Sequence, residues 1–302
     1  MNLALVGFGR FGKKYYKNIN QNKLFFIKKI FRKRKLSKKR LNEILKSDIK
    51  KNNFKAGIVV TPTNTHYQIS KIFIKNKIPI ILEKPAGFNI SEVRKMIQMS
   101  KKHNSTVIVN HSDLFNENLK YLLGKLKLIG KISLIEGDFG KFDSTYKDSN
   151  YLPFYDWMPH PLAILFSISS KLTNPVVEHN YIERRHGSFF QDIIVTLKAK
   201  KIKLIRIKFS NRKKVKTRKI VIHGAKGLIS YDGYSHNNNY IFIKKKIIFP
   251  KTKKTPMQSI IKHLYLLSIS KIFYSDLNLS LKIQKILEEI KNKQRRKVFS
   301  NG

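Results

Sequence analysis

The 302-residue chain contains no cysteine, which excludes disulfides, thiolate nucleophiles and Cys-ligated metals at once. It has no run of 18 apolar residues, so no transmembrane helix is expected. No basic segment precedes the first apolar stretch, Leu3 to Val6, and that stretch runs directly into glycines, so no signal peptide is expected. The nine histidines show no metal-ligand spacing. No internal repeat, low-complexity linker or nucleic-acid-binding motif stands out. These absences fit a cytoplasmic protein that holds no metal and no membrane. What is present is a 41% apolar composition in a chain long enough for two domains with large cores.

Acidic residues are also scarce. Asp and Glu total 18 against 63 Lys and Arg, a net charge of +45. Nine of the thirteen residues from Lys28 to Arg40 are basic, and further clusters lie at Arg212–Lys219, Lys244–Lys246 and Lys291–Lys297. Such a field attracts anions. The charges are spread over every segment, and Lys, Ile and Asn, all with AT-rich codons, are abundant together. Compositional drift plus an anionic small ligand explains this better than a nucleic-acid partner, whose binding would collapse as salt rises.

The chain is organised around its first dozen residues. Leu3 to Val6 read as a strand, Gly7-Phe8-Gly9-Arg10-Phe11-Gly12 follows at once, and a helix begins at Lys13. This is G-x-G-x-x-G between strand and helix, the context that makes it a dinucleotide site. Gly7 permits the tight turn, Gly9 lets a pyrophosphate approach the backbone, and Gly12 lets helix and strand pack closely. The helix N-terminus then offers N–H groups to the phosphates. The next strand, Lys23 to Phe31, ends without the Asp or Glu that would bind the adenosine ribose; Arg32, Lys33 and Arg34 stand there instead. Arg at that place suits the 2′-phosphate of NADP, so the cofactor is NAD or NADP with a preference for NADP.

Strands and helices then alternate. Ala56–Val60 is a strand ending at Thr61-Pro62-Thr63-Asn64-Thr65-His66, with Thr65 as the expected cap of a helix over Tyr67–Lys75. Ile78–Leu82 ends at Glu83-Lys84-Pro85, Ser91 is expected to cap a helix to His103, and Thr106–Asn110 leads to His111. The alternation predicts a doubly wound parallel sheet. Beyond residue 112 the pattern changes. A helix is expected over Asn116–Leu126, an extended stretch over Lys131–Phe142, and an apolar helix from Tyr155 to Ile168. A series of strands between Val176 and Lys244 then implies a mostly antiparallel sheet, and helices near Met257–Phe273 and Ser280–Lys291 close the chain. The expected division is 1–112 and 113–302: an N-terminal Rossmann domain and a C-terminal α/β domain for substrate binding and oligomerisation.

With the glycine motif, Thr61–His66, Glu83-Lys84-Pro85, His111-Ser112-Asp113-Leu114-Phe115, Asp156-Trp157-Met158-Pro159-His160 and His223-Gly224-Ala225-Lys226-Gly227, the chain resembles the Gfo/Idh/MocA family of NAD(P)-dependent oxidoreductases. Most of that family act on sugars or sugar derivatives. The resemblance covers nearly the whole chain. It implies a cofactor site drawn from Gly7, Phe8, Gly9, Arg10, Phe11, Gly12, Arg32, Thr61, Pro62, Thr63, Asn64, His66, Glu83, Lys84 and His111. It also implies that Lys84 lies beside nicotinamide and substrate, that His160 sits across the cleft, and that the sheet makes a dimer or tetramer. The residue types suit the chemistry. His160 is fitted to a proton step near neutrality, Lys84 to holding the substrate oxygen and stabilising negative charge, and Asp156 to orienting His160 or contacting substrate.

The family's carboxylate just after the His, or three residues on, is replaced by Pro161 and Ala163, and the stretch from Phe31 to Ala56 is short. The expected activity is hydride transfer between nicotinamide and a sugar or nucleotide-sugar hydroxyl or ketone, such as surface polysaccharide synthesis uses. The alternatives are a dinucleotide-binding regulator without turnover and a charge-driven nucleic-acid binder.

Overall fold

In a computed structural model the described residues are 1–32, 38–148, 152–235, 237–250, 252 and 254–299. Lys33 and Arg34 of the basic turn lie outside them. The chain divides into two units, Met1–Ser112 with Thr255–Gln284 and Asp113–Lys254 with Lys285–Gly302.

The first unit begins β1 (Asn2–Val6), α1 (Arg10–Asn22), β2 (Phe26–Phe31), α2 (Lys38–Asn52), β3 (Ala56–Val59), α3 (His66–Lys75), β4 (Ile80–Leu82), α4 (Ile90–His103) and β5 (Val107–Val109). All strand pairs are parallel, in the order β2-β1-β3-β4-β5, which is the doubly wound arrangement the alternation predicts. Strands β1, β3, β4 and β5 are near-continuous buried apolar runs because both faces are covered, whereas the edge strand β2 carries Lys28 and Lys29 and is largely exposed. Ala4, Val6 and Val59 pack on one side with Leu45, Ile69, Phe73, Val93 and Met96 of α2, α3 and α4.

Two local expectations change. The α4 cap is Asn89, whose side chain accepts from Glu92 N, so the helix starts before Ser91. Thr65 does precede α3, but its hydroxyl turns back onto Thr61 Oγ1 and Pro62 O, each at 2.7 Å, and caps nothing. β2 starts at Phe26 because Lys23, at φ 54°, closes α1 through its N–H to Ile19 O.

The second unit holds α5 (Glu117–Gly124), β6 (Ile132–Gly140), α6 (Pro153–Trp157), α7 (Pro159–Ile168) and seven further strands. These are β7 (Leu172–Arg185), β8 (Ser188–Ala199), β9 (Ile202–Ser210), β10 (Thr217–Gly224), β11 (Gly227–Asp232), β12 (Tyr240–Ile243) and β13 (Lys246–Ile248). The sheet order is β13-β12-β11-β10-β6-β9-β8-β7, antiparallel except for the parallel β6–β9 pair. Alternate residues Ile205, Ile207 and Phe209 are buried, and Phe209 stacks on Trp157 with ring centroids 5.9 Å apart. The expected helix through residue 158 is two helices, since Pro159 cannot donate an N–H and opens α7 instead. The strand β13 was not expected from the sequence.

The closing helices are α8 (Pro256–Ser270) and α9 (Leu277–Phe299). The sequence division left all of 255–302 in the second domain; in the structure Thr255–Gln284 packs with the first unit. The reason is the second face of the parallel sheet. Ile260, Ile261 and Leu264 of α8 are fully buried, α8 lies against β3 and β4, and Tyr265 meets Phe25 edge-on at 5.7 Å. The chain then runs along β5: Val107 N donates to Tyr274 O, and Val109 N donates to Asp276 Oδ1 at 2.7 Å.

Although Asp276 keeps a little surface of its own, its carboxyl is enclosed by protein, and this burial pushes it up to about 7. A carboxyl raised in the folded state stabilises most below its unfolded value near 3.9, and that contribution is lost as pH climbs toward 7. Asp276→Asn keeps the acceptor for Val109 N and cannot ionise. The expected result is a gain of roughly 1–3 kcal/mol at pH ~8, the scale of a buried polar group short of partners. At pH ~4 the variant gains nothing. Chemical denaturation at the two pH values checks this; an equal effect at both would contradict it.

Candidate cofactor and catalytic site

In the first unit the three glycines of the motif have different surroundings. Gly7 adopts φ +102°, and a Cβ there would lie 2.6 Å from Val60 O. A Cβ on Gly12 would lie 2.3 Å from Gly7 O. Both are fixed by the protein's own packing. A Cβ on Gly9 meets nothing within 4 Å. Gly9 is the N-cap residue of α1, which has no side-chain cap and no acidic residue in its first turn. Its leading N–H groups and positive dipole end are therefore directed at open space, the arrangement that accepts a phosphate.

The other predicted positions sit at the carboxyl ends of the same strands, where open α/β sheets bind ligands. Arg32, just after β2, lies over the Phe8 ring with Cζ 4.1 Å from its centroid, and Phe8 meets Tyr16 edge-on. Arg32 is thus beside the glycine loop. Phe11 is 39% exposed, with Arg10 and Lys14 over its ring. After β3, Pro62 and Asn64 are exposed and Thr61 and Thr63 partly so.

Three predicted cofactor residues are occupied by the protein itself. His66 is buried, with Nδ1 2.8 Å from Pro85 O and Nε2 2.8 Å from Thr61 O, so it ties the two ligand-edge loops together. Burial pushes its imidazole below the ordinary value. Glu83 is buried and accepts from Asn110 Nδ2 at 2.7 Å and Tyr15 OH at 3.3 Å. Burial raises its carboxyl, against the opposing hydrogen bond from Asn110. His111 is buried with Nε2 3.0 Å from Ser280 Oγ. These residues shape the edge from behind, and Lys84, between Glu83 and Pro85, stays partly exposed on it.

The second unit holds the other predicted group. His160 lies on the first turn of α7, and the carboxylate beside its Nδ1, at 3.2 Å, is Asp113. Asp156, expected to orient His160, accepts a hydrogen bond from Tyr146 OH at 2.9 Å. Asp113 is 2% exposed and also takes Tyr231 OH at 2.9 Å and the Arg218 guanidinium. Burial alone would raise the Asp113 carboxyl; the Arg218 charge overrides it and holds the group well below the usual carboxylate range. Burial likewise raises the Tyr231 phenol, with the Asp113 charge adding to it, so Tyr231 remains a donor. The seat for Arg218 is made by Gly233, where a Cβ would come 2.7 Å from Arg218 Cδ. The entry to α6 is anchored by Phe154 N donating to buried Gln191.

The sequence alone gives Asp113 no role and does not reveal Arg218 or Tyr231 as its partners. Arg218 is one of 63 basic residues and carries no local signal; the turn at Asp232-Gly233 that makes room for it was the visible trace. Among the described residues no group of His, Asp or Glu forms a metal site, and no helix is long and apolar enough to cross a membrane.

Residues 1–111 match the family model described as an oxidoreductase family with an NAD-binding Rossmann fold. No curated protein sequence matches the chain. Among solved structures, a protein from Magnetospirillum magnetotacticum MS-1 superposes with TM-score 0.81 at 19% identity, covering 95% of this chain and 98% of that one. The UDP-N-acetylglucosamine 3-dehydrogenase of Acidithiobacillus ferrooxidans gives TM-score 0.78 at 15% identity over 97% of both chains. The biliverdin reductase of Synechocystis sp. PCC 6803, solved with biliverdin and NADP+, gives 0.75 at 12% over 97% and 98%. At these identities the likeness establishes the fold.

Proposed function

We propose, for a chain whose first 111 residues match the Gfo/Idh/MocA oxidoreductase family model, that it transfers hydride between NAD(P) and a hydroxyl or ketone of a sugar or nucleotide sugar. The observation that carries this is the contrast within the glycine motif, with Gly7 and Gly12 pressed against backbone and Gly9 facing open space at a helix N-terminus. That is a cradle a side chain would fill and a pyrophosphate fits. When bound, the nicotinamide supplies the hydride chemistry; the chain binds, orients and manages the proton. Gly7–Gly12 and the Thr61–Asn64 loop are assigned to the dinucleotide, and Lys84 and His160 to the reacting oxygen. The first unit is the cofactor domain and the second the substrate and oligomerisation domain. A homo-oligomer through the eight-stranded sheet belongs to the same reading, supported by exposed Leu204, Phe242 and Ile247 on its strands. The reading places the protein in the cytoplasm.

NADP is the preferred form in this reading. Arg32 stands beside the glycine loop with no carboxylate at the end of β2, and a guanidinium makes two charge-assisted bonds to a phosphate. Arg32→Ala is expected to weaken NADPH binding by roughly 1.5–3 kcal/mol, the range for hydrogen bonds to a charged group, with NADH nearly unaffected. Equal affinities for both cofactors, unchanged in the variant at physiological salt, would show that the general positive field does the work.

The enzymatic reading is tested by screening sugars and nucleotide sugars with NAD+ and NADP+, and their ketones with the reduced forms, following nicotinamide absorbance. Turnover of one substrate class is expected; none across a broad panel, with cofactor bound, would favour the regulator.

A further inference from the structure

We propose that Arg218 is a positioning residue that fixes His160 as the neutral tautomer with its proton on Nε2. His160 then meets the reacting oxygen as a hydrogen-bond donor and not as the base. The catalytic half of this inference rests on the function proposed above; the tautomer does not.

The argument is a count of hydrogens. Arg218 Nη2 is in hydrogen-bond contact with both Asp113 Oδ2 and His160 Nδ1. A guanidinium nitrogen has no acceptor capacity, so the imidazole nitrogen facing it must be the acceptor. Nη2 carries two hydrogens, enough to reach the carboxylate and the ring together. The competing assignment has Nδ1–H donating to Asp113, where the separation is 3.2 Å. That proton would point toward the same space as the Arg218 hydrogens. With Nδ1 held as acceptor, the neutral ring carries its hydrogen on Nε2. Protonating Nδ1 would need Arg218 to withdraw from a carboxylate that is 2% exposed, leaving a buried charge without its main partner, which is costly.

The surroundings keep Arg218 in place. Tyr231 OH donates to Asp113 Oδ1, Gly233 leaves room for the Arg218 stem, and Gly233 N donates to Arg218 O. Among the described residues, Tyr231 and Tyr234 also face Arg218 and Asp113, with Asp232 beside Tyr234; both phenols are raised, by burial first. They remain neutral near pH 7 and do not replace the guanidinium.

A consequence follows for the reaction. With a nicotinamide bound to take up the hydride, His160 would hold the reacting oxygen as a donor and would not take its proton, which would leave to solvent water. His160 Nε2–H steadies the oxygen throughout, a role a neutral imidazole fills without a change of charge.

Long-range proton–nitrogen NMR of the full chain, labelled at histidine nitrogens, reads the protonation of each ring nitrogen. His160→Gln identifies the His160 signals among the nine histidines. The expected wild-type result is an unprotonated Nδ1 and a protonated Nε2 across the range where a free imidazole, with its pKa of about 6.5, would titrate. Arg218→Met should move the proton to Nδ1 beside Asp113 and restore a titration. A wild-type His160 with Nδ1 protonated near neutrality, as tautomer or imidazolium, overturns the proposal and requires no variant to fold. A folded Arg218→Met protein with unchanged His160 signals also overturns it. No cofactor or substrate enters the measurement, so the outcomes separate. Absence of turnover in the substrate screen defeats the enzymatic reading and the catalytic consequence, whereas only the spectra decide the tautomer.

Discussion

Gly9→Val abolishes dinucleotide binding in a protein that keeps its fold. The expected loss of NAD(P)H affinity is on the order of 10³-fold or more, about 4 kcal/mol. The reason lies in the different surroundings of the three glycines. A side chain at Gly7 or Gly12 collides with backbone at 2.6 and 2.3 Å, so substitution there damages the protein first. At Gly9 the side chain enters space the protein does not use, and its φ of −77° is one that a branched residue adopts readily. Valine therefore costs folding little. It stands where a phosphate would meet the α1 N–H groups, and it shields them. Thermal unfolding and a binding titration on the same sample check both halves. An unfolded Gly9→Val protein would show that the open space is not spare.

Lys84→Ala lowers turnover by on the order of 10²–10⁴-fold, the range for a lost proton-transfer or oxyanion-stabilising group, once a substrate has been identified. The side chain is the one predicted ionisable residue after β4 that stays on the ligand edge; its neighbour Glu83 is buried in hydrogen bonds to Asn110 and Tyr15. His160→Ala, removing a donor to the reacting oxygen, is expected to cost about 10²–10³-fold. Cofactor affinity should survive in the His160 variant, because that residue belongs to the second unit. Steady-state kinetics with separate cofactor titrations check this, and full activity in both variants would remove these residues from the chemistry.

The parts of this molecule that were legible in the sequence are those with local causes. The glycine motif, the strand-ending Thr61-Pro62 and Glu83-Lys84-Pro85, and the change from alternating to strand-rich pattern after residue 112 each announce themselves within a dozen residues. What was hidden depends on distant partners. Glu83 and His66 sit in ligand-edge loops that the sequence shows, but what holds them there is remote: Glu83 accepts from Tyr15, 68 positions away, and His66 lies against the backbone of Pro85. Asp113 and Arg218 are 105 positions apart, and no periodicity links them. The return of α8 is similar: an apolar helix near the end of a chain does not reveal which sheet it covers. Asp156, expected to orient His160 or to contact substrate, accepts a hydrogen bond from Tyr146 in the preceding loop, a contact that nothing in the sequence announces.

The central claim is that the first unit binds a nicotinamide dinucleotide at the Gly7–Gly12 turn. Fluorescence titration of NADPH and NADH against the wild-type protein and Gly9→Val, at physiological salt, tests it most directly. Saturable binding by the wild type, tighter for NADPH, and none by the folded variant is the predicted result. Equal binding by the two proteins, or no binding by the wild type, would contradict it.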